Sequence, residues 1–174
     1  MTPRYAGSLA MALALSLPAR ADALLLHVKD GGAPRRLTFG RPVPFDMYGI
    51  GQPVSVTWPS ADFAFLVLDR NADGRIDDGA ELFGDATPLI GNANRTAEHG
   101  FFALIQYDDN RDGVIDAKDL VYRELALWHD ANANAIVDKG ELTSLSKAGV
   151  KSLGLTFRKQ QGVSDDGQIG RAHV

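Results

Sequence analysis

The 174-residue chain contains no cysteine, which removes disulfide bonds from the means of holding it together and excludes a lipid anchor on an N-terminal cysteine. It also lacks any apolar run of about eighteen residues or more, the length needed to cross a bilayer as a helix. The formal net charge of -4 gives no basic footprint for nucleic acid. His27, His99, His129 and His173 fall in no HExxH spacing, and there is no GxSxG or cysteine nucleophile. Catalysis therefore has little support, and the reading is of a protein that is not an enzyme. At 45% hydrophobic and 23% charged, the chain has the composition of one folded domain with a real core.

What is present begins with MTPRYAGSLAMALALSLPARADA. It has one positive charge at Arg4, an apolar run from Ala6 to Leu17, Pro18, and then small residues. This pattern predicts a secretory signal peptide over residues 1–23, cleaved after Ala21 or after Ala23, the second being favoured, with a periplasmic or secreted destination. Without disulfides, a bound divalent ion would be one way to stabilise such a protein, since any ligand of the folded state does so. From Leu24 to Trp58, the apolar pieces LLLHV, RLTF and VSVTW are punctuated by Gly and Pro, and a segment 24–61 of short strands is expected.

The acidic residues are unevenly spread: 13 of the 22 lie in three windows, 69–81, 108–119 and 130–141. Carboxylates packed this densely repel one another unless they point into water or a cation compensates them. Window 108–119, DDNRDGVIDAKD, places Asp108, Asn110 and Asp112 at loop positions one, three and five, Gly113 at six, Asp116 at nine and Asp119 at twelve. This is the EF-hand pattern, in which alternate side-chain oxygens turn inward, Gly takes the sharp bend and the carbonyl of position seven, here Val114, adds a neutral ligand for Ca2+. Ile115 at position eight is then free to pair with a neighbouring loop.

Window 69–81 repeats the pattern with Asp69, Asn71, Asp73, Gly74, the Arg75 carbonyl and Asp77, but Glu81 falls at position thirteen. Either one extra residue precedes the closing glutamate, so that Glu81 still swings in, or Ala80 occupies position twelve and water replaces the carboxylate. The first is preferred. Window 130–141 supplies Asp130, Asn132, Asn134, the Ile136 carbonyl, Asp138 and Glu141, with Ala135 at position six where Gly is usual. Ala in a left-handed conformation costs about 1 kcal/mol, and three carboxylates stand here against four in each other loop, so this loop is expected to bind Ca2+ most weakly. By the same ranking, Asp108→Ala should harm binding most and Asp130→Ala least. A single such window is also compatible with a solvated acidic turn; three with the same offsets favour two or three calcium sites.

The flanking segments suggest helices. EHGFFALIQY puts Phe101, Leu104 and Ile105 on one face, and DLVYRELALW does so with Leu120, Leu125 and Trp128. A single helix would then leave the second loop and enter the third, fusing the hands. LTSLSKAG predicts a short helix stopped by Gly149, and VKSLGLTF a strand. The expected fold is mostly α with a small β component, a fused EF-hand-like helix-loop-helix array over 62–157 preceded by short strands. His129 reads as a helix-surface group, and Trp58 and Trp128 as packing residues. A tail follows at 158–174, of which IGRAHV at 169–174 reads as a translated sequencing adapter.

The runs FAFLVLDRNADGRIDDGAELFGDAT and GFFALIQYDDNRDGVIDAKDLVYRELALWHDANANAIVDKGELTSLSKAGVKSLGL closely resemble a bacterial EF-hand-like calcium-binding module found in secreted proteins and beside RTX repeats. The resemblance spans about residues 43–157. It implies calcium binding, and it implies that VPFDMYGIGQPVSVTW is a decayed loop, with Tyr48 and Ile50 where oxygen ligands are expected. Some members of that group self-cleave at an Asp-Pro bond in a calcium-dependent reaction; this chain has no Asp-Pro, which argues against that activity here. A protein partner remains open. A dockerin-like interaction module would share the Asp119-Leu120 ending and the 22-residue step from Asp108 to Asp130, but the 39-residue step from Asp69 to Asp108 breaks a simple duplication. No nucleic-acid partner is expected, and no membrane partner once the signal peptide is removed.

Overall fold

Phe63–Leu68, FAFLVL, is apolar at every position and buried at every position, the signature of a strand covered on both faces. It lies within the principal sheet. The computed structural model describes residues 10–13, 23–28, 38–159 and 168–173, with side-chain surroundings for 23–28 and 38–156. The strands are Ala10–Leu13 (β1), Leu24–His27 (β2), Phe39–Phe45 (β3), Val54–Pro59 (β4), Phe63–Leu68 (β5), Pro88–Leu89 (β6) and Asn92–Thr96 (β7). They continue with Val114–Ile115 (β8), Leu125–Trp128 (β9), Leu142–Ser144 (β10), Ser152–Lys159 (β11) and Gln168–His173 (β12). Two short helices, Gly100–Ile105 (α1) and Leu145–Ala148 (α2), and a 3₁₀ turn at Leu120–Arg123 complete the described elements. Most of the predicted signal peptide and residues 160–167 lie outside the described residues.

Eight strands form one antiparallel sheet in the order β10-β9-β5-β2-β1-β12-β11-β8, and β3-β4 and β6-β7 form two small hairpins. Strand outweighs helix by 39% to 11%. The expected mostly α, fused helix-loop-helix array is therefore corrected: the three acidic windows are mounted chiefly on a sheet. The decisive segment is 119–128, expected as one helix. It is a 3₁₀ turn followed by β9, which pairs with β5 through Leu68↔Leu125, Leu66↔Leu127 and Phe65↔Trp128. Leu120, assigned to the buried helical face, is 79% exposed. Within β9 the faces alternate: Leu125 and Leu127 join one core cluster, while Trp128 joins the other with Ala126 packed against it.

The same alternation divides β2 and β5. Leu24, Leu26, Ala64 and Leu66 face the helical layer with Phe83, Phe101, Leu104 and Leu145. Leu25, Phe63, Phe65 and Val67 face the β3-β4 hairpin with Val43, Phe45, Val56 and Trp58. Helix α1 lies over the first face because Gly100 admits it: a Cβ there would sit 2.5 Å from the Phe83 carbonyl oxygen. Its Phe101 and Leu104 are buried as the sequence suggests, but Ile105 is 49% exposed. Helix α2 ends at Gly149 in the left-handed conformation, φ 82. Ile115 pairs with Leu153 of β11 rather than with a neighbouring loop.

Because β5 and β9 run antiparallel, the loop that leaves β5 after Leu68 and the loop that leaves β9 after Trp128 emerge at opposite ends of the pair. The 108–119 loop belongs with the first. Arg70, in the loop after β5, donates from its Nη1 to the Tyr107 hydroxyl at 2.8 Å, directly before that loop.

Candidate cation-binding loops

Each of the three acidic windows folds its backbone around its own side chains, and it does so with one shared set of hydrogen bonds. Oδ1 of the first aspartate accepts the N–H of position five at 3.2 Å, for Asp69 from Asp73, Asp108 from Asp112 and Asp130 from Asn134. Its Oδ2 accepts the N–H of position six at 2.8, 2.9 and 2.8 Å, from Gly74, Gly113 and Ala135. The position-three amides, Asn71, Asn110 and Asn132, accept from position five as well. The position-five side chains, Asp73, Asp112 and Asn134, accept the N–H groups of Arg75, Val114 and Ile136. Short oxygen-bearing side chains reaching two to five residues along their own backbone are what Asp and Asn do in turns. Position six is left-handed in all three, at Gly74, Gly113 and Ala135, and so is position four, at Ala72, Arg111 and Ala133.

The closing carboxylate returns to the loop mouth in every case. Asp119 accepts from Asp116 and Asp109, and Glu141 from Asp138 and Ala131. Glu81, one residue later in its loop, accepts the equivalent pair, Asp77 and Arg70. Of the two alternatives raised by its position, the structure has the one in which Glu81 swings in. The extra residue is absorbed where Asp78 bridges Asp46 and Gly79 donates to the Asp46 carbonyl at 2.9 Å. Glu81 is only 4% exposed. Burial pushes its carboxyl above the usual glutamate range, against the opposing effect of the two backbone donors, so its charged form lacks solvation that a bound cation would supply.

The turn at 46–51 follows the same local plan: Asp46 accepts from Ile50 and Gly51, four and five residues on, and Gly49 and Gly51 are left-handed. Tyr48 and Ile50 put no carboxylate or amide at positions three and five, so the turn retains the backbone and not the donor set.

The loops differ in what surrounds them. In 108–119, the Lys118 ammonium lies 3.0 Å from Asp112 and 3.4 Å from Asp116 and lowers the Asp112 carboxyl below its ordinary value, chiefly by hydrogen bonding. Positions five and nine thus converge on one positive group. In 130–141, the Asn132 and Asn134 amides both donate to Asp138 Oδ2, at 2.8 and 2.9 Å, so positions three, five and nine meet. In 69–81, Asn71 donates to Asp73 at 3.1 Å, a contact that 108–119 shares through Asn110 and Asp112 at 2.9 Å. Among the described residues, no three or more His, Cys, Asp and Glu side chains are drawn together as a ready metal cluster. The donor chemistry nevertheless fits a hard cation, since every loop position proposed as a ligand offers oxygen. Arg75, Val114 and Ile136, chosen for their carbonyls, enter the loop hydrogen bonds described above through their N–H groups.

Two participants were missed in the sequence. The Trp58 indole donates to Asp130 Oδ2 at 2.7 Å across 72 residues, and no local spacing could announce that. Arg70, besides reaching Tyr107, donates from Nε to the Ala80 carbonyl at 2.6 Å; its place at position two of a loop was the available signal. His129, read as a helix-surface group, instead follows β9 and contacts the Ala61 carbonyl at 2.6 Å.

A family model described as the SPM domain matches residues 26–173. The chain is 40% identical over 114 residues to a protein of Neisseria meningitidis serogroup C named iron-regulated protein FrpA. That alignment takes in 66% of this chain and 10% of the relative, so the chain spans about a tenth of the relative's length.

Proposed function

Since the chain belongs to the SPM domain family, we propose that its three loops make it a calcium-binding module of an exported protein, in which the ion serves structure or sensing rather than catalysis. The observation that carries the reading is the shared hydrogen-bond set. Three segments of different sequence hold positions one, three, five and the closing carboxylate in the same local frame. Asp69, Asn71, Asp73, Asp77 and Glu81 would hold one ion, Asp108, Asn110, Asp112, Asp116 and Asp119 a second, and Asp130, Asn132, Asn134, Asp138 and Glu141 a third. The carbonyls of Arg75, Val114 and Ile136 would complete the sets. Oxygen donors without a histidine or thiolate suit Ca2+ rather than the softer transition metals. Extracellular modules of this kind bind at about 10⁻⁴ to 10⁻³ M, so free calcium at about 1 mM occupies them from about half to about nine-tenths.

The test is calorimetric titration of the purified protein with calcium chloride, repeated for Asp69→Ala, Asp108→Ala and Asp130→Ala. Heat and a rise in melting temperature are expected for the parent protein, with one class of site lost in each variant. A parent protein with neither response sinks the proposal. A second reading, a calcium-dependent protein-docking module, draws on Leu120, which follows the closing Asp119 and is 79% exposed. It predicts a protein captured in calcium, released by EDTA, and lost in Leu120→Ala.

A further inference from the structure

The three loops share a plan and all reach the core, through Glu81 and Ile76, Asp119 and Ile115, and Asp130 and Ala135, but only one has its leading aspartate buried. Asp130 is 4% exposed, whereas the first aspartates of the other loops, Asp69 and Asp108, are half-buried. Asp130 Oδ2 accepts from Ala135 N at 2.8 Å and from the Trp58 indole at 2.7 Å. Among the described residues, the corresponding oxygens of Asp69 and Asp108 accept only from Gly74 and Gly113. The indole itself has no freedom to wander: Trp58 is 1% exposed and lies 5.3 Å from Phe45, 4.9 Å from Phe65 and 5.6 Å from Trp128, ring centre to ring centre. The neighbouring Trp128 Nε1, equally buried, has no hydrogen-bond partner among the described residues. Proximity to this loop therefore does not by itself supply an indole with an acceptor.

We propose that Trp58 is a positioning residue for the 130–141 loop, its indole N–H holding one oxygen of Asp130 from the core side so that the other faces the loop interior, ready for a cation. The inference rests on the calcium reading of that loop. It gives the loop with the poorest sequence, three carboxylates and alanine at position six, a fixed leading ligand that the other two lack. Preorganisation of this kind sets affinity, because hydrogen-bond partners standing behind a metal ligand typically govern about 10- to 100-fold in binding. It also joins the loop to the β3-β4 layer, since Trp58 is on β4.

The test follows the position-six amide resonances by NMR while calcium chloride is added to the full chain, Gly74, Gly113 and Ala135 each reporting its own loop. In Trp58→Phe, which keeps an aromatic ring and removes the N–H, the Ala135 midpoint should move to calcium concentrations about tenfold higher or more, while Gly74 and Gly113 keep theirs. Phe45→Leu disturbs the same aromatic cluster without touching the N–H and should leave all three midpoints in place. An unchanged Ala135 midpoint in Trp58→Phe, or an equal shift in Phe45→Leu, overturns the proposal; a parent protein in which no amide responds overturns the calcium reading instead. Should Trp58→Phe fail to fold, the Trp58 indole resonance of the parent protein decides. It should move with the Ala135 amide in the parent and in Asp108→Asn, and an indole that does not respond as Ala135 titrates overturns the proposal.

Discussion

Ala135 stands where a glycine is expected, in the left-handed conformation at φ 58, and is 8% exposed against the hairpin-side core. Two effects oppose each other there. Left-handed backbone costs a non-glycine residue about 1–2 kcal/mol, but the buried methyl stabilises by about 0.8 kcal/mol, and alanine restricts the unfolded chain more than glycine by about 0.4–1 kcal/mol. Ala135→Gly should consequently change stability by less than about 1 kcal/mol. Gly113→Ala should destabilise: at φ 81, with no atom within 4 Å of the added Cβ, it gains no packing, and the strain of about 1–2 kcal/mol is offset only by the roughly 0.4–1 kcal/mol of unfolded-chain restriction, a net loss of up to about 1.5 kcal/mol. Urea unfolding of both variants in EDTA checks the contrast. The first aspartates divide in the same way. Asp130→Ala strands a buried indole N–H and should cost the metal-free protein about 1–3 kcal/mol, more than Asp108→Ala, whose backbone donors water can reach. The sequence ranks Asp130 last for calcium binding, and this fold-stability order is the reverse; unfolding in EDTA and titration in calcium measure the two quantities separately.

Among the elements, the tightest contact binds the long loop to the remnant one. A Cβ on Gly79 would lie 1.9 Å from the Met47 carbonyl oxygen and 2.6 Å from its carbon, and both groups are backbone, so neither can swing aside. Gly79→Ala should destabilise by about 3 kcal/mol, the upper part of the range for overpacking, and should weaken calcium binding in the 69–81 loop. A urea midpoint equal to the parent's would remove the contact from any structural role. The reach of the sequence reading follows from the range of the interactions concerned. The loops were legible because their plan is local: Asp69, Asp108 and Asp130 bind groups four and five residues away. So was Gly149, which ends α2 by its own backbone freedom. The strands β5 and β9 were not, because FAFLVL and LALW are too short for helical and alternating patterns to separate, and their state is set by pairing with partners some sixty residues apart. Trp58 was beyond reach for the same reason, its acceptor lying 72 residues on.

For the whole molecule, the sheet distributes the sites. The 69–81 and 108–119 loops share one end of the β5-β9 pair, joined through Arg70 and Tyr107, and the 130–141 loop leaves from the other, anchored on Trp58. Calcium would therefore brace the fold from both ends, with no cysteine available to do so covalently. The size of that effect follows from mass action. A site with a dissociation constant of about 10⁻⁴ to 10⁻³ M gains about 0.4–1.4 kcal/mol at about 1 mM free ion, so three sites add about 1–4 kcal/mol. For a domain of this size each kcal/mol raises the melting temperature by about 2–4 °C, giving a rise of roughly 2–16 °C that EDTA should reverse. Thermal melts by circular dichroism over a calcium series test this directly. The rise should continue with concentration through the millimolar range, as mass action on weak sites requires. A plateau reached in the low micromolar range would place these loops with intracellular sensors and count against an external, structural use of the ion.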